Sequence, residues 1–193
     1  MKLTGFGLVL LLGGCAGLQS PDPASPYYAY SPGWRVQLNR VLPIDPDAAT
    51  VRLQYGRIVP RNGVQEHDPF CIMEVNTLSR QVQLLQPGLF EVVQVTRSVS
   101  ELSAAASPLI PPSLMKMGLM KTGLGGGNDT PSFLYFITTF RLRDAAQPDV
   151  RSLTCAWDQM APGNRSLMRH LTLDEIHSAL GDWMHLIPPK ESL

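Results

Sequence analysis

Trp34-Arg35-Val36-Gln37-Leu38-Asn39 alternates apolar and polar residues at every step, and Val51-Arg52-Leu53-Gln54-Tyr55-Gly56 repeats the pattern further along the chain. Successive side chains of an extended strand point to opposite faces, so a period of two marks half-buried strands rather than helix. Between the two segments, Pro43-Ile44-Asp45-Pro46-Asp47 has the composition of a turn. Working outward, strands are expected over 57–60, 70–76, 81–85, 89–97, 133–143 and 150–157. Their separators are Arg61-Asn62-Gly63, Gln86-Pro87-Gly88 and the stretch 144–149. One helix is signalled. Thr172 with Glu175 three residues on forms a capping box, Leu173, Ile176 and Leu180 keep helical spacing, and Gly181 suits the C-terminal cap. Beyond it Trp183, His185 and Ile187 alternate, which predicts a last strand before Pro188-Pro189. The competing reading carries the helix across Gly181 to Leu186. Together these elements predict a mainly β (α+β) fold, an antiparallel sandwich or barrel-like sheet with one C-terminal helix.

The 193-residue chain carries 16 Lys plus Arg against 16 Asp plus Glu, and its charged share of 17% lies below the usual level of about 25%. Such a balance leaves no electrostatic footprint for nucleic acid, which is not an expected partner. The 17 Pro and 16 Gly point to many turns, and length favours a single domain, placed at 34–193.

The amino-terminal fourteen residues have the parts of an export signal: Lys2, an apolar stretch from Leu3 to Leu12, and small residues before Cys15. They are too short to span a bilayer, which takes about 20 apolar residues. Leu12-Gly13-Gly14-Cys15 resembles the lipobox of bacterial lipoproteins. That resemblance implies removal of residues 1–14, lipidation of Cys15 with several acyl chains, and anchoring to a membrane facing the periplasm. By similarity to enterobacterial lipoproteins, Ala16 after the cysteine favours the outer membrane. Loss of Lys2 would leave 15 basic against 16 acidic residues, a net charge of −1.

Cysteine parity fits this expectation. Of three cysteines, lipidation of Cys15 leaves Cys71 and Cys155, both in strand-like segments of a chain expected in a disulfide-permissive compartment. A Cys71–Cys155 disulfide is therefore expected, with two separate buried thiols as the alternative. Residues 15–33, bearing Pro21, Pro23, Pro26 and Pro32, read as a tether that could extend to roughly 50 Å. Within it the Tyr27-Tyr28-Ala29-Tyr30 cluster is out of character and is expected to pack on the domain or sit at the membrane interface.

The stretch 101–131 reads as a long flexible loop with an apolar centre. Leu114, Met115, Met117, Leu119 and Met120 are candidate partner-binding residues, since methionine surfaces repack against varied partners. Alternatives are a loop packed on its own domain, or Cu(I) held by Met115, Met117 and Met120. No catalytic motif is recognisable. Glu66-His67-Asp68 reads as a solvated loop, His170, His177 and His185 lack metal-ligand spacing, and Glu74 is expected to face solvent or pair with an arginine such as Arg141. No cofactor or resident metal is implied. The resulting expectation is a lipid-anchored binding or scaffolding module of the envelope, without turnover, with a protein partner. A copper or small-ligand carrier and a hydrolase with an unrecognised site are the alternatives.

Overall fold

A computed structural model describes residues 20–103, 132–160 and 168–189. The described residues form ten strands: β1 (Arg35–Leu38), β2 (Leu42–Ile44), β3 (Ala48–Gln54), β4 (Arg57–Val59), β5 (Phe70–Ser79), β6 (Gln83–Leu85), β7 (Gly88–Ser103), β8 (Ser132–Arg143), β9 (Val150–Met160) and β10 (Met184–Ile187). Helix α1 covers Leu173–Leu180. Eight strands make one curled antiparallel sheet in the order β10-β1-β7-β8-β9-β5-β3-β4, and β2 pairs with β6 apart from it. The fold is thus mainly β with one C-terminal helix, in the curled form of the expected architectures.

Alternation decides which side faces inward. Val36 and Leu38 of β1, Val51 and Leu53 of β3, Phe140 and Leu142 of β8 and Leu153 and Cys155 of β9 are buried, while their sequence neighbours are mostly exposed or half-buried. The helix packs against β3, β5 and β10, elements from opposite ends of the sheet order, and so spans the mouth of the curl. Its inward side is Ile176, Ala179 and Leu180. Both halves of the capping box form: the Glu175 N–H donates to Thr172 Oγ1 at 3.3 Å and the Thr172 N–H to Glu175 Oε2 at 2.8 Å.

The seam where the curl closes is built from two glycines. Gly56, in the turn between β3 and β4, donates its N–H to the Ala179 carbonyl at 3.0 Å and accepts the Trp183 indole N–H at 3.2 Å. Gly181, at the end of α1, has φ 54° and ψ −141°, a region open to glycine, and a Cβ there would lie 2.5 Å from the Gly56 Cα. The helix therefore ends at Gly181, and a short 3-10 turn leads into β10.

Several expectations are corrected by tertiary context. Pro43 and Ile44 belong to strand β2, with Ile44 fully buried, so only Asp45–Asp47 turn; the proline is tolerated because β2 lies at the edge of a two-stranded pair. Tyr55 leaves the apolar face of β3 and is exposed at φ 52°, whereas Gln54 is buried. In β10 the buried side chains are Met184 and Leu186, not Trp183 and Ile187. The stretch 101–103, read as loop, continues β7, because Glu101, Leu102 and Ser103 pair with Leu134, Phe133 and Ser132 of β8.

Residues 20–33 lie on the domain rather than in an extended spacer. Ser20 bridges Tyr28, and the Leu173 N–H reaches the Pro23 carbonyl at 3.5 Å. Tyr28 and Tyr30 pack edge-on against each other and against Trp34, and Tyr30 also meets Phe140 at 5.0 Å between ring centroids. The tyrosine cluster thus docks on the core, one of its two expected fates.

Candidate functional site

Strands β7 and β8 form a ribbon paired from Glu91↔Arg143 to Ser103↔Ser132, extended on one side by β9 up to Phe133↔Met160. On its other side β7 is covered by β1 only between Gly88 and Glu91. Beyond Glu91, among the described residues, no strand lies beside the outer edge of β7. A cleft of 430 Å³ opens there between Tyr30–Gly33 and Val92–Val95, where the amino-terminal segment diverges from the strand. The candidate partner-binding residues Leu114, Met115, Met117, Leu119 and Met120 fall in 104–131, outside the described residues, as does Cys15. Register nevertheless fixes the points at which their segment leaves and rejoins the sheet, Ser103 and Ser132.

The root of the ribbon is polar on its inner side. Arg97 stands opposite Thr138 of β8, which in turn faces Cys155 of β9 and, beyond it, Cys71 of β5. The Arg97 guanidinium lies 5.2 Å from the centroid of the Tyr30 ring, a cation–π contact. Arg97 makes no ion pair with a carboxylate among the described residues. Its Nε and Nη2, the Tyr30 hydroxyl, the Trp34 indole N–H and His170 Nδ1 are buried and find no hydrogen-bond partner among the described residues. Burial pushes the Tyr30 hydroxyl up to about 12. Burial, reinforced by Arg97, pushes His170 down to about 4 and keeps its ring neutral.

Cys71 and Cys155 are directly opposed in the β5–β9 register and form the expected disulfide, with Cα atoms 4.1 Å apart. The bridge leaves Cys71 without a free thiol.

Glu66-His67-Asp68 is an exposed loop, as expected, and it is also pinned to the sheet. The Gln54 amide donates to the Gln65 carbonyl at 2.8 Å and accepts the Gln65 N–H at 2.9 Å. The Asp158 N–H donates to the Glu66 carbonyl at 2.6 Å, and His67 Nδ1 lies 3.3 Å from Asp158 Oδ2. Tyr135 donates its hydroxyl to Glu66, and Tyr55 donates to Asp68. Burial raises the Asp158 carboxyl above the usual range, with His67 opposing. Nothing in the local sequence marks Asp158 and Tyr135 as partners of this loop, since they arrive from β9 and β8.

Glu74 pairs with Arg151 at 3.1 Å and accepts the Ser152 hydroxyl at 3.0 Å, so its arginine is Arg151 and not Arg141. Arg141 lines the same outer-face cleft of 270 Å³, with Thr96, Thr139 and Thr154. His177 and His185 face each other with ring centroids 5.8 Å apart, and His177 Nε2 accepts the Leu186 N–H at 3.2 Å. Both therefore join α1 to β10, and His170 lies apart against Phe136. Among the described residues, no group of three or more His, Cys, Asp or Glu is placed to hold a metal ion. Comparison of the chain with family models, with curated proteins and with solved structures returned no match.

Proposed function

We propose that the chain is a lipid-anchored envelope protein, held at Cys15 in the outer membrane and facing the periplasm, that acts as a binding or scaffolding module. The observation that supports this best is the β7–β8 ribbon. A long paired arm, rooted in a disulfide-bridged core, carries the Leu- and Met-rich segment 104–131 at its end. Binding residues placed on a rigid scaffold lose less freedom on capture than the same residues on an isolated peptide. Leu114, Met115, Met117, Leu119 and Met120 are the proposed contacts for an envelope protein partner. Docking of residues 20–33 shortens the proposed tether to the five steps from Cys15 to Ser20, a reach of at most about 18 Å. The domain would then work close against the lipid surface.

Deleting residues 107–130 from the full chain tests the capture role. The shortened protein should keep its disulfide and its urea midpoint yet lose the partner that the intact chain retains from envelope membranes. Retention of the same partner by the shortened chain would overturn the assignment.

A further inference from the structure

The main sheet ends in β4, which covers β3 only from Arg52 to Gln54. Ahead of Arg52, among the described residues, no strand pairs with that side of β3, and a cleft of 610 Å³ opens along it. All of the residues lining the cleft are described, and its volume lies in the range of small-ligand sites, about 300–1,000 Å³. The hairpin fixes which main-chain groups face it. Tyr55 and Gly56, with φ 52° and 69°, make a two-residue turn closed by Gln54 and Arg57. Bonded positions alternate along an antiparallel pair, so Gln54 and Arg52 turn their N–H and C=O groups to β4. Thr50 turns its own to the cleft, where β4 has ended.

Four charges line the cleft. Asp45 and Asp47 stand at the turn that leads into β3, while Arg52 lies further along the strand and Arg61 in the 3-10 turn after β4. None of the four takes part in an ion pair among the described residues. Arg52 is held over its own strand by a 3.3 Å hydrogen bond from Nη1 to Thr50 Oγ1. Burial lowers its guanidinium below the usual value, and the charge of Arg61 nearby adds to this. Two guanidiniums towards one end of the cleft and two carboxylates at the other complement a guest that carries both signs. We propose that the cleft takes a short peptide with free termini, about four residues long, as an added strand along β3. Its ammonium lies at Asp45 and Asp47, and its carboxylate at Arg52 and Arg61. That polarity makes the peptide parallel to β3, which runs from the aspartates towards Arg52. Ala48 to Arg52 spans about 13 Å, the length of an extended tetrapeptide. The main-chain groups of Thr50 pair with its middle, and the exposed Ile58 offers an apolar wall. This site is separate from lipidation and from capture by 104–131, and any of the three can fail without the others.

The test uses the full chain in mild detergent, with tetra-alanine as the probe and titration calorimetry as the readout. Tetra-alanine with free termini should bind. Its carboxyl amide and its N-acetyl form should each bind about tenfold more weakly, since each loses a charge-assisted contact. Arg52→Gln/Arg61→Gln should weaken the free peptide and erase the difference between acid and amide. Asp45→Asn/Asp47→Asn should erase the difference between free amine and N-acetyl form. Bound peptide should also slow amide exchange at Thr50. If either double variant does not fold, the three peptide forms decide alone, since they leave the protein unchanged. No binding of tetra-alanine at millimolar concentration, or equal binding of its three forms, would overturn the proposal. So would an N-acetyl form that binds as tightly as the free peptide, the mark of a site for anions only, or folded double variants that keep both differences.

Discussion

Replacing Gly181 by alanine should cost the domain a large share of its stability. The native backbone at 181, φ 54° and ψ −141°, is sparsely populated by residues with a side chain, and holding alanine there costs about 1–3 kcal/mol. The added Cβ would sit 2.5 Å from the Gly56 Cα and 3.5 Å from its C and N atoms, all backbone, so no side chain can swing aside. Separating the two loops adds an overpacking cost of about 1–3 kcal/mol. It also strains the Gly56 N–H to Ala179 and Trp183 indole to Gly56 bonds, each worth about 1 kcal/mol net. A total of about 3–5 kcal/mol is expected, against a typical domain stability of about 5–15 kcal/mol. Gly56→Ala should cost less, about 1–3 kcal/mol, because its Cβ would meet the Gly181 Cα at 3.2 Å and its φ of 69° lies in the left-handed region. Urea unfolding followed by tryptophan fluorescence reads both variants, with Trp183 at the seam itself. A loss below about 1 kcal/mol for Gly181→Ala, or a larger loss for Gly56→Ala, would refute the seam.

Other perturbations have defined outcomes. Reducing Cys71–Cys155, or changing both to serine, opens a loop of sequence separation 84 and should cost about 4–5 kcal/mol by the loop-entropy argument, read as a lower urea midpoint. Acid should destabilise the fold before its carboxylates titrate. With His170 at about 4 in the folded chain against an ordinary 6.5, the unfolded chain binds the proton first, and stability falls as pH drops from about 6.5 towards 4. Allowing for the partial exposure of the ring, about 1 kcal/mol should be lost between pH 7 and 5, and His170→Gln should flatten that slope. Below that range Glu175 adds a loss of the same sign. Burial alone would raise it, but Arg169 and Thr172 hold it under its usual value, so its stabilisation disappears as pH falls through the folded value. Gln54→Ala should release the loop 65–69 at a cost of about 2–3 kcal/mol, since a buried amide that serves several loop backbone groups is lost, with faster amide exchange at Gln65 as the direct readout.

The legible parts of the fold were those whose cause is local. Alternation around Val36 and Val51 and the capping box at Thr172 reflect the residues' own neighbours, and the structure carries them as strands and helix. Strand β7 was legible only as far as Arg97, because 98–103 is polar and extends solely through its pairing with β8. Proline misdirected twice. The composition of 20–33 resembles a solvated spacer, yet the rings of Tyr28 and Tyr30 bring it onto the core, and Pro43 fits a strand because its pair has free edges. The arginine of Glu74 was decided by a register shift at Glu74/Val75 that brings Arg151 to it. Contacts such as Gly56 with Gly181, or His67 with Asp158, join residues about 90 or more positions apart and leave no trace in either local segment. Of the candidate site, the disulfide was readable by cysteine parity, whereas the pairing of β7 with β1 and β8 exists only in the strand order.

The anchored-module proposal stands most directly on one residue, Cys15. Intact-mass and amino-terminal peptide analysis of the chain recovered from cell membranes should find residues 1–14 removed and Cys15 as the new amino terminus carrying acyl chains. An unmodified Cys15, or a chain that retains residues 1–14, would contradict it.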